Sequence, residues 1–285
     1  MCGIAGFSIS DLDHKVINSR HLAKMLLRQS MSRGKDATGA VWSESFEGRT
    51  ELFFSKSPVD AEDFIQKDLD LIPKFTRTAL LHTRWATQGD PSDNNNNHPI
   101  NASGIIGVHN GHISNDDEIF EYFDADRIAE VDSEAIFQLI GHSDNPLKDF
   151  CLLEGRAAFA WYEVEDSSTM YVVRLAGSPL WVGQTKNKSL IFASTQEILM
   201  RAVNQANLSL SKIWQVAEQT FFKVVKGEVV ECVSLDKMEA VEPNFVRIGD
   251  KFIFDSNRAH KAEKSSSVRT NMDRLYGYTS PYGKR

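Results

Sequence analysis

The chain has the composition of a folded globular protein, with 285 residues of which 41% are hydrophobic and 25% charged. Its formal net charge of −7 argues against general binding to nucleic acids or to anionic membranes. The sequence contains no run of about 18 apolar residues that could span a membrane, and no secretory signal pattern opens it. The three cysteines, Cys2, Cys151 and Cys232, are too few and too widely spaced for a disulfide scaffold. We therefore expect a cytoplasmic protein with one large domain or two small ones.

Apolar runs rich in β-branched and aromatic residues recur along the chain and predict strands. These runs are Cys2–Ile9, Thr38–Trp42, Leu52–Ser55, Thr78–Thr83, Gly104–His109, Ala157–Glu163, Met170–Leu175, Leu180–Gln184, Ser189–Ser194, Thr220–Val225 and Glu228–Cys232. Helical spacing of apolar residues predicts helices over Arg20–Met31, Asp60–Leu71 and Ser133–His142. Because the helices lie between groups of strands, a parallel βαβ sheet fits poorly. The pattern favours an α+β fold in which two antiparallel sheets have helices outside them.

Two segments depart from this pattern. Asp90–Asn101 contains Pro91 and four consecutive Asn residues, and its polar, turn-rich composition predicts a mobile surface loop. From about residue 256 the chain becomes basic and poor in aliphatic residues. We expect the tail Ala259–Arg285 to be disordered.

The N-terminus places a cysteine directly after the initiator methionine. A small second residue permits removal of Met1, and Cys2 then carries a thiol and a free α-amine together. An α-amine titrates near pH ~8 and can act as the base for the thiol, as in an N-terminal nucleophile. The alternative is that Cys2 merely precedes the first strand.

Two further segments contain candidate site residues. Arg33-Gly34-Lys35-Asp36 predicts either a sharp turn with its Arg and Asp hydrogen bonded, or an ordinary helix C-cap with Gly34 at positive φ. Arg84 follows a strand, where it could bind a carboxylate with two N–H groups. Trp85 could form an apolar wall beside it, and the alternative is a surface Arg stacked on Trp.

A third and a fourth segment each have two interpretations. Asn110-Gly111 between apolar runs most often forms a type I′ hairpin turn. The Asn NH₂ and the Gly N–H can also form an oxyanion hole for acyl transfer. Asp132-Ser133 before a helix is explained by an N-cap, or by a carboxylate that binds a ligand ammonium group. The histidines His82, His98, His109 and His112 match no zinc spacing, so we expect no metal.

The order of these motifs resembles the glutaminase domain of class II glutamine amidotransferases, which are N-terminal-nucleophile (Ntn) hydrolases. The motifs are Cys-Gly-Ile-x-Gly, Arg-Gly-x-Asp-x-x-Gly, His-Thr-Arg-Trp-Ala-Thr-x-Gly, His-Asn-Gly and Asp-Ser-Glu. The glutaminase half of glucosamine-6-phosphate synthase is most similar, because of Thr83–Thr87 and Asn97-His98-Pro99. The similarity covers about residues 2–235. It implies a four-layer αββα sandwich over residues 2–240, followed by a C-terminal extension over residues 241–285.

The resemblance implies catalytic roles for residues of these motifs. Cys2 would attack the side-chain amide of L-glutamine, and its α-amine would accept and return the proton. Asn110 and Gly111 would bind the oxyanion. Gly3 would permit close approach at the nucleophile, and Arg33 would position the N-terminus.

The resemblance also implies a binding site for the substrate. Arg84 would bind the α-carboxylate and Asp132 the α-ammonium group, while Trp85 and Thr87 would help form the pocket. The segment Arg84–Pro99 would close as a lid. Where the family pattern usually has His after Ala-Thr, this chain has Gln88, which affects the expected behaviour of the lid.

The function implied is hydrolysis of glutamine to glutamate and ammonia through a γ-glutamyl thioester, without a cofactor. Only about 45 residues follow the glutaminase-like part, too few for a sugar-isomerase domain. We therefore expect a separate enzyme to accept the ammonia, and no nucleic-acid or membrane partner. The alternatives are an amidohydrolase acting on another γ-glutamyl amide, and a catalytically silent binding protein with the same fold.

Overall fold

Two antiparallel sheets lie face to face in the structure, a computed structural model that describes residues 1–46, 49–237, 245–248 and 251–254. Every strand pair within these ranges is antiparallel. Helices cover the outer face of each large sheet. The predicted α+β class with two antiparallel sheets is confirmed.

The strands of the two large sheets follow in chain order. They are β1 (Gly3–Ser8), β2 (Ala37–Phe46), β3 (Arg49–Ser57), β4 (Thr78–Arg84), β5 (Ile100–Ala102), β6 (Ile105–Ile113), β7 (Gly155–Glu163), β8 (Asp166–Arg174), β9 (Trp181–Gln184), β10 (Leu190–Ala193), β11 (Lys212–Gln215), β12 (Thr220–Val225) and β13 (Glu228–Ser234). The seven-stranded sheet has the order β11-β9-β10-β1-β4-β2-β3, and the six-stranded sheet has the order β13-β12-β8-β7-β6-β5. All eleven predicted strands are present, while β5 and β11 were not predicted. Because β1 lies in the middle of its sheet, the N-terminus begins at the end of a central strand.

Helices form the two outer layers. They are α1 (Ser19–Ser30), α2 (Ala61–Lys67), α3 (Asp116–Phe123), α4 (Ser133–His142), α5 (Pro146–Asp149) and α6 (Gln196–Gln205). The three predicted helices correspond to α1, α2 and α4, with α2 followed by a 3₁₀ turn over Leu69–Leu71. Three further helices were not predicted. The start of α6 had a sequence signal, because the Thr195 side chain accepts a hydrogen bond from the Ile198 N–H as an N-cap.

The side chains of each central strand point alternately to the two faces of its sheet, and this alternation explains the layers. In β4, Leu81 packs towards α1 and its neighbour Leu80 packs between the two sheets. In β7, Phe159 packs against the helices of the six-stranded sheet and Ala160 faces the other sheet. Side chains of successive strand residues point to opposite faces, so a strand buried on both faces is apolar at every position. Three apolar cores therefore separate four layers in the order helices, sheet, sheet, helices.

The prediction of a surface loop over Asp90–Asn101 is wrong for its second half. Asn94–Asn96 form a 3₁₀ turn, Asn96 and Asn97 are fully buried, and β5 starts at Ile100. The buried amides are hydrogen bonded: Asn96 Nδ2 donates to Glu130 Oε2 at 3.0 Å, and the Glu130 N–H donates to Asn96 Oδ1 at 2.7 Å. Polar side chains can be buried when their hydrogen bonds are satisfied, so a polar composition did not imply exposure here.

The chain divides into two compact units, residues 1–241 and 242–285. Within the second unit, β14 (Phe245–Ile248) pairs with β15 (Lys251–Phe254) as an antiparallel hairpin. The predicted disorder over Ala259–Arg285 lies outside the described residues. In the part of the chain that the structure describes, no helix has the length and apolar character needed to cross a membrane.

Candidate active site

The ends of β1 and β4 bring Cys2 and Arg84 together. Gly3 pairs with Thr83 in the register of these two strands, so the residues just beyond that pair lie side by side. Cys2 has the same parity as Ile4, and Arg84 the same parity as Leu80; both Ile4 and Leu80 face the space between the sheets. The side chains of Cys2 and Arg84 therefore lie at the edge of the inter-sheet core.

The Cys2 thiol is half-buried, with Sγ 3.7 Å from the carbonyl oxygen of Trp85. Burial raises the pKa of the thiol, while the contact with the Trp85 main chain, the N-terminal charge and the charge of Arg84 act in the opposite direction. The side chain of Met1 is 61% exposed. A thiol with a raised pKa needs a base to become a nucleophile.

Arg33 connects Cys2 with Asn110. Its Nε donates to the carbonyl oxygen of Cys2 at 2.8 Å, and its Nη2 donates to Asn110 Oδ1 at 3.5 Å. Asn110 is buried, and its Nδ2 has no hydrogen-bond partner among the residues that the structure describes. A buried N–H donor without a partner costs free energy and is uncommon in native proteins. This amide is therefore a candidate to donate to a bound substrate.

The hairpin interpretation of Asn110-Gly111 is wrong. Both residues lie within β6 and pair with β7, in the register Asn110 to Ala158 and Gly111 to Ala157. The continuous pairing of β6 leaves no place for a turn. Asn110 shares the parity of Val108, which packs between the sheets, and this parity directs the amide towards Cys2.

Two glycines of the site lie where no side chain fits. A Cβ at Gly111 would approach the Arg156 carbonyl oxygen to 1.9 Å. A Cβ at Gly3 would approach Thr83 Oγ1 to 2.6 Å. Close approach of neighbouring segments therefore favours glycine at both positions, and the role of Gly3 beside the nucleophile stays a prediction.

The turn after α1 supports the backbone of Arg84. The Asp36 N–H donates to the Arg84 carbonyl at 2.9 Å, and Asp36 Oδ2 accepts from the Ala86 N–H at 2.6 Å. A Cβ at Gly34 would lie 2.3 Å from the Arg84 carbonyl carbon. The interpretation of Gly34 as a C-cap at positive φ is wrong, because its φ is not positive and α1 is capped at Met31. The predicted turn with a hydrogen-bonded Arg and Asp is present.

The side chain of Arg84 is buried and hydrogen bonded to the segment that follows it. Nη1 donates to Asn97 Oδ1 at 2.8 Å, and Nη2 donates to the carbonyl oxygens of Gln88 and Gly89 at 2.5 and 2.8 Å. The alternative of a surface arginine is therefore wrong. Gln88 contributes its main-chain carbonyl here, and its side chain, which stands where the family has His, is exposed. Binding of a carboxylate by Arg84 stays a prediction.

Trp85 and Thr87, the expected pocket residues, are exposed beside this segment. The carbonyl of Trp85 accepts from the Cys2 thiol at 3.7 Å, so the Trp85 main chain lies beside the thiol. The pocket and lid roles of Trp85 and Thr87 stay predictions.

Asp132 approaches the site from the six-stranded sheet. Its Oδ2 accepts from the Ile113 N–H at 2.7 Å and lies 3.4 Å from His112 Nδ1. Asp132 stands at the predicted N-cap position of α4, but its side chain makes no capping hydrogen bond, and Ser133 Oγ bonds to His109 Nδ1 at 2.9 Å. An N-cap role therefore does not account for the Asp132 carboxylate. The negative charge of Asp132 contributes to the raised pKa of Cys2, so the two groups are within electrostatic reach. Binding of an ammonium group by Asp132 stays a prediction.

Several residues that the sequence analysis missed hold these groups in place. The buried Glu134 carboxylate accepts from the N–H groups of Ile128 and Ala129, just before Asp132. Lys56 and Asn97 support the segment that contacts Arg84. Glu134 could have been found, because it completes the Asp-Ser-Glu motif. Lys56 had no sequence signal, because its partners lie 41 and 43 residues along the chain.

Three of the four candidate metal-binding histidines lie buried near the inter-sheet core. Burial lowers the pKa of His82 to about 3 and holds the pKa values of His98 and His109 below the usual range. The rings of His82 and His98 stack with centroids 4.0 Å apart, while His112 is exposed. Among the described residues, no group of three His, Cys, Asp or Glu side chains is arranged to hold a metal ion.

Residues 82–201 match the family model for a glutamine amidotransferase domain. The glutamine–fructose-6-phosphate aminotransferase (isomerizing) of Campylobacter jejuni is 26% identical over 288 residues, which cover 97% of this chain and 46% of that protein. The protein of the same name from Staphylococcus aureus is 30% identical over 245 residues, which cover 81% of this chain and 38% of that protein. The chain spans about half the length of the curated relatives it matches.

Two solved structures share the fold. The glutamine phosphoribosylpyrophosphate amidotransferase from B. subtilis, complexed with ADP and GMP, superposes with a TM-score of 0.66 at 17% identity, covering 83% of this chain and 50% of that chain. A glutamine aminotransferase class-II domain protein from Silicibacter pomeroyi superposes with a TM-score of 0.52 at 13% identity, covering 82% of this chain and 99% of that chain. At these identities the likeness concerns the fold.

The chain therefore contains a class II glutamine amidotransferase domain, and its fold is that of the Ntn-type amidotransferases. Within that family, its sequence relatives are the glutamine–fructose-6-phosphate aminotransferases, also called glucosamine-6-phosphate synthases. The resemblance inferred from the motifs is thereby confirmed.

Proposed function

We propose that this chain hydrolyses the side-chain amide of L-glutamine to glutamate and ammonia through a γ-glutamyl thioester on Cys2. One observation carries the proposal: Arg33 donates hydrogen bonds to the Cys2 carbonyl and to Asn110 Oδ1, while the buried Asn110 Nδ2 has no partner in the described part of the chain. A nucleophile beside a fixed, unused N–H donor is the arrangement that acyl transfer requires.

The first half-reaction forms the thioester. After removal of Met1, the α-amine of Cys2 takes the thiol proton, and Sγ attacks the amide carbon of glutamine. The developing oxyanion accepts hydrogen bonds from Asn110 Nδ2 and the Gly111 N–H. When the tetrahedral intermediate collapses, the C–N bond breaks and the amide nitrogen takes the proton from the α-ammonium group. Ammonia then leaves, and a γ-glutamyl thioester remains on Sγ.

The second half-reaction regenerates Cys2. The α-amine accepts a proton from a water molecule as the water oxygen attacks the thioester carbon, and the same donors stabilise the second oxyanion. The C–S bond breaks, the thiolate recovers its proton from the α-ammonium group, and glutamate leaves. No oxidant, reductant or cofactor enters either step.

Two opposite charges would recognise the head group of the substrate. Arg84, from the seven-stranded sheet, would bind the α-carboxylate, and Asp132, beside the six-stranded sheet, would bind the α-ammonium group. Both charges act on Cys2, which supports their placement around one substrate. Trp85 and Thr87 would form the wall of the pocket.

We further propose that the ammonia passes to an acceptor enzyme. The sequence relatives are named as aminotransferases to fructose 6-phosphate, and this chain matches about half of their length. In this proposal the groups for glutamine hydrolysis lie among the described residues, and the acceptor site would lie elsewhere in the assembled enzyme.

The experiment that tests the proposal combines mass spectrometry with turnover. The intact mass should show Cys2 at the N-terminus, and glutamine should yield equal amounts of glutamate and ammonia. Cys2→Ala should abolish turnover and should also abolish the γ-glutamyl hydroxamate that hydroxylamine releases from the thioester. Turnover of a different γ-glutamyl amide but not of glutamine would overturn the substrate assignment. Glutamine turnover retained in Cys2→Ala, or in a chain that keeps Met1, would overturn the mechanism.

A further inference from the structure

The three hydrogen bonds that the Arg84 guanidinium makes with the described residues all go to the segment Gln88–Pro99. Two of these bonds go to main-chain carbonyls at the start of the segment, and the third goes to the side chain of Asn97. Asn97 is fully buried, and its Nδ2 donates to the Pro91 carbonyl at 2.7 Å and to Asn94 Oδ1 at 3.0 Å. Both polar atoms of the Asn97 side-chain amide are therefore hydrogen bonded. Oδ1 accepts from Arg84, and Nδ2 donates to two residues of the same segment.

Lys56 anchors the other side of Asn97. Its Nζ donates to the carbonyl oxygens of Asn97 and Pro99 at 2.8 and 3.0 Å. The lysine lies on β3, the edge strand two positions from β4 in the seven-stranded sheet. The segment thus crosses from the end of β4 to the far edge of the sheet and is fixed there by an ammonium group.

Burial of the Lys56 ammonium group costs folding free energy. Burial lowers the pKa of Lys56 to about 8, only partly offset by the carboxylate of Asp93, and the neighbouring His98 is held neutral by its own burial. A methionine would keep most of the apolar stem without removing an ammonium group from water. Polar groups that cost folding free energy are typical of sites where geometry serves function.

We propose that Lys56 and Asn97 are positioning residues for Arg84, and that binding of the substrate α-carboxylate depends on them although neither touches the substrate. This inference rests on the proposed glutaminase function. Lys56 fixes the main chain of Asn97, Asn97 fixes Nη1 of Arg84, and Arg84 thereby keeps the orientation needed for a carboxylate pair. Misplacement of a binding group by about 1 Å can reduce catalytic efficiency on the order of 100-fold.

The test separates binding from chemistry. Lys56→Met and Asn97→Ala should each raise the KM for glutamine by about 10-fold or more while kcat changes by less than about 3-fold, the signature of lost ground-state binding. Lys56→Arg keeps a charged donor and should recover most of the loss. The matched controls are Lys67→Met and Asn204→Ala, which alter exposed residues on α2 and α6 and should leave KM unchanged.

A second readout distinguishes positioning from folding. Each variant is incubated with iodoacetamide and, separately, with a diazoketone analogue of glutamine, and alkylation of Cys2 is followed by mass spectrometry. Slower labelling by the analogue with unchanged labelling by iodoacetamide supports the inference. Equal slowing with both reagents, or an unchanged KM in both Lys56→Met and Asn97→Ala, overturns it. A further outcome separates the two proposals. If the wild-type chain turns over no glutamine, but the analogue labels Cys2 faster in the wild-type chain than in the variants, the positioning role stands and the proposed function fails.

Discussion

Arg33 Nη2 lies 3.5 Å from Asn110 Oδ1, and this contact fixes which end of the Asn110 amide remains unused. The oxygen faces a cation, so the NH₂ group is the end without a partner among the described residues. Since Arg33 also donates to the Cys2 carbonyl, one guanidinium sets the distance between the nucleophile of one sheet and the amide of the other.

Replacement of Arg33 by Lys should therefore impair chemistry more than binding. A lysine keeps the positive charge but cannot donate to two acceptors from one rigid plane. We expect kcat for glutamine to fall by about 10- to 100-fold, because the donor and the nucleophile lose their relative position. The matched control is Arg28→Lys, which alters a pair with Glu62 on the outer helices. A fall in kcat of the same size in Arg28→Lys would show that the effect is structural.

Asn110→Ala should remove the oxyanion donor without unfolding the protein. Loss of one such donor lowers kcat by about 100- to 1,000-fold. The unpaired Nδ2 contributes no hydrogen bond to the folded state, so the change in thermal unfolding should be limited to the effects of the lost side-chain volume and of the lost 3.5 Å contact between Arg33 Nη2 and Asn110 Oδ1. Asn110→Asp supplies an acceptor in place of the donor and should be at least as inactive. Near-wild-type kcat in Asn110→Ala, measured with saturating glutamine, would exclude the amide from catalysis.

Gly34→Ala should displace the main chain of Arg84. The added Cβ would lie 2.3 Å from the Arg84 carbonyl carbon and 2.5 Å from the Trp85 nitrogen, so one of the two segments must move. We expect a raised KM for glutamine together with a loss of about 1–3 kcal/mol in unfolding free energy, as is usual for overpacking. Lys35→Ala, at the exposed neighbouring position, should change neither quantity. An unchanged KM in Gly34→Ala would show that the turn does not set the geometry of Arg84.

The layers of the fold and the identity of the family could be predicted from local patterns. Continuous apolar runs such as Ala157–Glu163 are sufficient to identify strands buried on both faces, and the spaced motifs are sufficient to identify the family. Asn110-Gly111 could not be assigned in this way, because the dipeptide has the same composition in a hairpin turn and in a paired strand. The pairing of β6 with β7, some 50 residues away, decides between the two.

Several of the residues that hold the site residues in place could not be predicted from the sequence. The Asn-rich segment is polar, and polarity predicted exposure, yet Asn96 and Asn97 are buried because distant groups complete their hydrogen bonds. Lys56 was assigned no role, since nothing near it in sequence contacts its ammonium group. Such contacts depend on the order of the strands in the sheet, and this order cannot be predicted from local patterns in one sequence.

The pH dependence of Cys2 alkylation tests whether its own amine activates the thiol. In the chain that retains Met1, burial raises the pKa of the thiol, so the reactive thiolate forms only at a pH above the usual cysteine range. Removal of Met1 places the α-ammonium group on the same residue, and a positive charge at that distance favours the thiolate. The midpoint of the pH profile should therefore be lower for the processed chain than for a chain that keeps Met1.

The measurement uses iodoacetamide in a Cys151→Ser, Cys232→Ser background, where Cys2 is the one thiol left to react. Both replaced cysteines are exposed, so the fold should tolerate serine at each position. Thermal unfolding of the two forms provides the control, because a folding difference would alter access to the thiol as well as its ionisation. Equal midpoints, or a lower midpoint in the chain that keeps Met1, would mean that the α-amine does not set the ionisation of Cys2. The base for the thiol would then have to be another group of the site.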